Sequence, residues 1–116
     1  MALLARNGAY LDTLAEELAE QGGQALSLPV DLTYSAQVTD AFDAIESAMG
    51  PVDVLVQNAS LMHRGPFLEL DPVLFEEVFR VAVTGMVNCC RAVLPTMQVR
   101  AEGNVVVIGA TGALRG

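Results

Sequence analysis

The sequence predicts an α/β domain: a doubly wound parallel sheet in the element order βαβαβαβ. Three observations carry that expectation. Short apolar runs rich in β-branched residues, clearest at residues 52–56 and 105–108, stop abruptly at polar or small residues. Between such runs the apolar residues return at helical spacing. Glycine and proline punctuate the joins, at Gly22-Gly23 and Gly50-Pro51. Strands that alternate with helices cannot pair through tight hairpins, so they pair in parallel.

Met1 to Ala5 is apolar from the first residue and meets a turn at Arg6-Asn7-Gly8, so it reads as a strand. Leu11, Leu14, Ala15 and Leu18 then mark one face of a helix, with Asp12, Glu16, Glu17 and Glu20 largely on the other. Gly22-Gly23 stops it. Ala25 to Val30 forms the second strand. Pro29 lacks a ladder donor, which places that strand at or near a sheet edge. After Asp31-Leu32-Thr33, the residues Val38, Ala41, Phe42, Ile45 and Met49 make the stripe of a second helix.

The third strand, Val52 to Val56, is continuous enough to expect burial on both faces. It ends at Gln57-Asn58-Ala59-Ser60. Polar and small residues there suit a ligand crevice at the carboxyl end of a parallel strand, although a core strand leaving through a polar turn looks the same. Asp71-Pro72 is a helix start, the acid as cap and proline in the first turn. The helix spans about residues 72–98 and carries Phe75, Val78, Phe79, Ala82, Met86, Cys89, Val93 and Leu94, with Pro95 announcing its end. So broad an apolar face suggests a partner subunit as well as the sheet. The last strand runs to Ile108 and gives way to Gly109-Ala110-Thr111-Gly112.

Composition narrows the function classes. Hydrophobic residues make up 53% of the 116 and the mean hydropathy is +0.44, ample for the core of one domain. The net charge is −8, and six arginines supply all the positive charge because lysine is absent. Without clustered cations, neither a nucleic-acid surface nor an anionic-membrane anchor is expected. Cys89 and Cys90 are adjacent and offer no disulfide framework, and His63 is the only histidine, so no metal site is expected. No basic leader and no membrane-length apolar run is visible, which leads to an expected cytoplasmic location.

In this order and at this spacing the segments closely resemble the middle of the short-chain dehydrogenase/reductase family. Residues 50–60 match the family's Gly-x-h-Asp-h-h-h-Asn-Asn-Ala-Gly segment, where h is apolar, with Gln57 and Ser60 as departures. Asp31-Leu32-Thr33 matches an Asp-h-x segment that contacts adenine in the family. Val81-Ala82-Val83-Thr84-Gly85 lies on an h-Asn-h-x-Gly segment, and Gly103 to Ile108 on the strand that leads to a catalytic serine.

The resemblance implies a Rossmann-type fold and hydride transfer between a nicotinamide and a small-molecule carbonyl or alcohol. The implied cofactor-binding residues are Arg6, Asp31, Leu32, Asn58, Ala59, Ser60, Val81 and Ile108. Arg6 follows the first strand, where an acid would hold the ribose 2′-hydroxyl of NAD. An arginine suits the 2′-phosphate of NADP, so NADP is expected over NAD. Plainer readings stay open: a solvated arginine for Arg6, a helix cap for Asp31, a bond to a neighbouring strand for Asn58.

The family's chemistry needs a tyrosine with a lysine four residues on, a serine and an asparagine. No lysine exists here, Tyr10 and Tyr34 lie elsewhere, and Ala82 and Ala110 stand where the asparagine and serine belong. Thr111 is the nearest hydroxyl and a poor substitute. A glycine-rich phosphate turn is absent as well. No catalytic residue is therefore assigned, and residues 1–116 are expected to be the middle of a single NAD(P)-binding domain, inactive alone. The absent strand would be the central first one, between Met1–Ala5 and Val52–Val56. A non-catalytic dinucleotide-binding or scaffold relative is the main alternative. A receiver or flavodoxin-like module is weaker, because only Asp31 supplies an acid at a strand end. Self-association through the 72–98 helix is expected.

Overall fold

The computed structural model describes residues 1–110. β1 (Ala2–Ala5) leads through α1 (Gly8–Glu20) to β2 (Leu26–Pro29), and α2 (Ser35–Met49) leads to β3 (Val54–Gln57). A short 3₁₀ turn at Phe67–Glu69 precedes α3 (Pro72–Phe79). A π-helical segment, Arg80–Thr84, joins α3 to α4 (Gly85–Arg100), and β4 (Asn104–Val107) follows. No helix among the described residues is long and apolar enough to cross a membrane.

All pairing is parallel, and the sheet comes in two halves. β1 pairs with β2, from Ala2 opposite Leu26 to Ala5 opposite Pro29. β3 pairs with β4, from Val54 opposite Asn104 to Gln57 opposite Val107. No pairing joins β1 to β3 among the described residues. A cavity of about 490 Å³ lies between them, lined by Ala2 and Leu4 on one side and Val52, Val54 and Val56 on the other. Pro29 sits on the outer strand of its half, where a missing donor costs no ladder bond.

Local chemistry explains the helix ends. Asn7 caps α1 by accepting a hydrogen bond from the Tyr10 amide at 3.2 Å, and Asp71 caps α3 through the Val73 amide at 2.9 Å. Gly22 takes a φ of 83°, and the Gly23 amide returns to the Leu18 carbonyl at 2.9 Å. The core lies between α2 and α4: Val38, Ala41, Phe42 and Ile45 meet Cys89, Val93 and Met97 over Val30 and Leu55. Spacings of three and four residues put each set on one helical face. α1 packs separately, on β1 and β2.

Four details differ from the sequence expectation. β3 is buried on one face only: Leu55 and Gln57 point into the core, whereas Val54 and Val56 are exposed beside the cavity between the half-sheets. Every residue of β4 is likewise exposed, because no described element covers that strand. The long helix is not one α-helix but is interrupted by the π segment. Pro95 lies inside its last turns, as expected, but the end falls two residues beyond the expected 98. The helix runs on to Arg100 and stops at Ala101, which is left-handed at φ 53°. Proline's cost inside a helix is a lost bond and a clash one turn back, and the packing of Val93 and Met97 on either side offsets it.

Candidate functional site

The carboxyl ends of β1, β2 and β3 open on the same side of the sheet, as parallel strands require. Ala5 gives way to Arg6, Val30 to Asp31, and Gln57 to Asn58. A cavity of about 510 Å³ lies there, and Arg6, Asp31, Leu32, Asn58, Ala59, Ser60 and Val81 all line it. Seven residues from four separated segments thus come together. The eighth, Ile108, does not join them: its amide donates to the Gln57 carbonyl at 2.9 Å, which ties the exit of β4 to that of β3. Thr111 lies outside the described residues.

The Asp31-Leu32-Thr33 turn is held from both sides. The Asp31 carboxylate accepts from the Thr33 amide at 2.9 Å and from its hydroxyl at 2.8 Å. It does not cap α2, whose N-cap is Tyr34 without a side-chain bond. Instead it closes its own turn. The Thr33 amide bond, chiefly, keeps the Asp31 carboxyl below its ordinary pKa against the opposing cost of burial, with further help from the Thr33 hydroxyl, Arg6 and Arg80. From the helix side, Asn88 donates from Nδ2 to the Leu32 carbonyl at 2.9 Å. Gly85 allows that approach, since a Cβ there would stand 3.2 Å from the Leu32 Cβ.

The π segment sits at this contact. Its last bond runs from the Gly85 amide to the Arg80 carbonyl, five residues back, and Val81 enters the cavity from within it. A π turn widens the helix by one residue and re-aims the side chains beside it, which is why such turns gather at sites. Ala82 occupies the position where the resemblance expects asparagine and offers no polar group.

The structure sharpens one crevice residue of the sequence and adds another. Gln57 is 5% exposed, lines the cavity, and its Nε2 donor has no partner. A buried amide donor without an acceptor is costly, so an acceptor at this place would stabilise the site. Its signal was the period of two that puts Gln57 in phase with the buried Leu55. Arg80 is the other: with Arg6, Asp31 and Tyr34 it lines an adjoining cavity of about 410 Å³. Asn58, in contrast, is exposed and makes no side-chain hydrogen bond to a neighbouring strand among the described residues.

Chemically the crevice offers donors at Arg6, Gln57, Asn58 and Ser60 and a carboxylate at Asp31. No acid/base pair faces it. His63 lies beyond the adjoining cavity, 3.6 Å from Glu77. Cys89 closes the floor, and burial pushes its thiol up to about 11, with its neighbour Cys90 adding to the shift. Recognition of an elongated polar ligand fits this set.

The profile of the short chain dehydrogenase family matches residues 1–116. The chain belongs to that family. A 5-keto-D-gluconate 5-reductase of Escherichia coli K12 is 34% identical over 93 residues, covering 80% of this chain and 37% of its own length. An uncharacterized oxidoreductase of Bacillus subtilis is 33% identical over 102 residues, covering 88% of this chain and 40% of its own length. The chain therefore spans about two fifths of these curated relatives. Among solved structures, a variant of actinorhodin polyketide ketoreductase with NADPH superposes with a TM-score of 0.93 at 32% identity, covering 99% of this chain and 45% of that one. A gluconate 5-dehydrogenase of Burkholderia cenocepacia, in complex with NADP and tartrate, gives 0.83 at 30% identity, with 94% and 43% covered. The doubly wound Rossmann-type sheet expected from the sequence is part of the fold of these neighbours.

Proposed function

We propose that these residues form the dinucleotide-lining part of an NADP-dependent short-chain oxidoreductase, within one NAD(P)-binding domain. The observation that carries this reading is the convergence of Arg6, Asp31, Leu32, Asn58, Ala59, Ser60 and Val81 on one cavity. The donor set fits such a ligand. Arg6 would take the anionic end of the adenosine, Asp31 and Leu32 the adenine, Val81 the face of the base, and Asn58 to Ser60 the nicotinamide ribose. The unpartnered Nε2 of Gln57 also awaits an acceptor. When bound, the nicotinamide supplies or accepts the hydride, and the substrate is a small carbonyl compound or alcohol. What this chain contributes in this reading is binding, orientation and partial exclusion of water; no residue described is assigned the proton transfer.

The exposed apolar face of α3 and α4, with Phe75, Phe79, Val87 and Leu94, supports self-association in this reading. Two free cysteines suit a reducing compartment, and the cytoplasm is the proposed setting. The test is to express the full polypeptide from its reading frame and follow NADPH and NADH oxidation with a panel of ketones, aldehydes and keto acids. Turnover with NADPH preferred supports the reading. A reading frame with neither a glycine-rich turn upstream nor a Tyr-x-x-x-Lys downstream ends it. Ala82 and Ala110 favour one alternative, a non-catalytic dinucleotide-binding or scaffold relative. NADP(H) binding without turnover of any member of the panel would select it.

A further inference from the structure

The Arg6 end of the crevice holds a second guanidinium that the sequence motifs do not account for. Arg6 and Arg80 line the same cavity of about 410 Å³, from the end of β1 and from the first position of the π segment. In a chain of net charge −8 with six cationic side chains, that concentration is unusual. Arg100, by comparison, is occupied by Asp53. Among the described residues, neither Arg6 nor Arg80 has a carboxylate oxygen within 4.0 Å.

Two acids also face the cavity, and neither comes within 4.0 Å of either guanidinium among the described residues. The Asp31 carboxylate accepts from the Thr33 amide and hydroxyl. Glu77 lies 3.6 Å from His63 Nε2. Both guanidinium groups still lower the Asp31 pKa, so both lie within electrostatic reach of one point in the cavity. Arg80 is placed, not merely tethered. Its carbonyl accepts the bond that closes the π segment, from the amide of Gly85, and Gly85 abuts Leu32. Two forked donors, neither in a close ion pair, suit an anion carrying several oxygens better than a single carboxylate.

We propose that Arg80 is a second specificity-determining cation, which with Arg6 takes a phosphate monoester on the adenosine ribose. This rests on the NADP reading above and names the residue that sharpens it. The phosphate bridges the two guanidinium groups, and the Tyr34 side chain lines the same cavity.

The experiment is a calorimetric titration of the full polypeptide with adenosine 2′,5′-bisphosphate and with 5′-AMP. The variants are Arg6→Ala, Arg80→Ala, Arg80→Lys and Arg91→Ala, the last on the α2–α4 groove away from this cavity. Charge-assisted bonds of ordinary strength predict about a tenfold or greater loss of bisphosphate affinity for Arg6→Ala and for Arg80→Ala. Affinity for 5′-AMP stays within about twofold, Arg80→Lys falls between, and Arg91→Ala changes nothing. If Arg6→Ala weakens the bisphosphate and Arg80→Ala does not, this proposal fails while the NADP reading stands. Equal weakening of both ligands by Arg80→Ala also overturns it, since the contact would then be to the nucleoside. Should the unsubstituted protein bind the bisphosphate no better than 5′-AMP, the NADP reading falls and this proposal with it.

Discussion

Replacing Gly85 with alanine tests whether the close seat of α4 on the Leu32 turn builds the site. Two effects oppose each other. In an ordinary helix interior, alanine in place of glycine stabilises by about 0.8–1 kcal/mol. Here the added Cβ would lie 3.2 Å from the Leu32 Cβ, inside the usual carbon–carbon separation of about 3.5–4 Å, and in ordinary contact with its carbonyl oxygen at 3.8 Å. Neither neighbour is a flexible tip, because both belong to a turn fixed by Asp31 and Asn88. Overpacking of a well-packed contact costs typically about 1–3 kcal/mol. The net expectation is a loss of about 1 kcal/mol, which lowers the urea midpoint by roughly 0.5 M for a slope near 2 kcal/mol/M. The push also lengthens the Asn88–Leu32 bond and shifts the Asp31 end of the crevice, so under the proposed function affinity for 5′-AMP should fall alongside stability. Urea unfolding and ligand titration of the full polypeptide measure both. A variant at least as stable as the parent, with unchanged 5′-AMP affinity, would refute the tight-seat argument.

Asn88→Ala leaves the part-buried Leu32 carbonyl without its donor and should cost about 1–3 kcal/mol by urea unfolding, non-additively with Gly85→Ala. Gly103 has a φ of 156°, and a Cβ there would enter the side chain of the buried Met97, so Gly103→Ala should destabilise by more than Gly85→Ala in the same assay. Because the Asp31 pKa is lower in the folded state, its contribution is present above the unfolded value near 3.8 and is lost as pH falls through the folded value. Asp31→Asn should therefore flatten the acid limb of stability below about pH 4 in a pH series of unfolding midpoints. Cys89, buried and pushed up to about 11, should resist iodoacetamide at pH 8 in the native protein while Cys90 is labelled first, as peptide mapping would show.

The order of elements was legible because it rests on local rules. Periodicity located α1, α2 and the helix that starts at Pro72, and Gly22, Gly50 and Asp71 marked their ends through backbone freedom or a cap. Parallel pairing followed from the alternation itself, and the crevice residues followed from strand ends and from the resemblance. Local rules did not reach burial. Val54 and Val56 are as apolar as any core residue, yet they are exposed because nothing among the described residues packs on their side of β3. Pro95 signalled the approaching end of its helix, and the turn beyond it is held by Met97, which packs in the core with α2.

What the sequence by itself determined is the kind of domain and the segments that line the crevice: spacing along the chain dictates which residues share a helix face or a strand end. Only the tertiary structure decided which side chains meet. Gln57 became a buried donor without an acceptor, the π segment took the place of a straight helix, and Arg80, 74 residues after Arg6, came to share its cavity. The reason is physical: periodicity is a property of one segment, whereas desolvation and electrostatic reach depend on which segments the packing brings together.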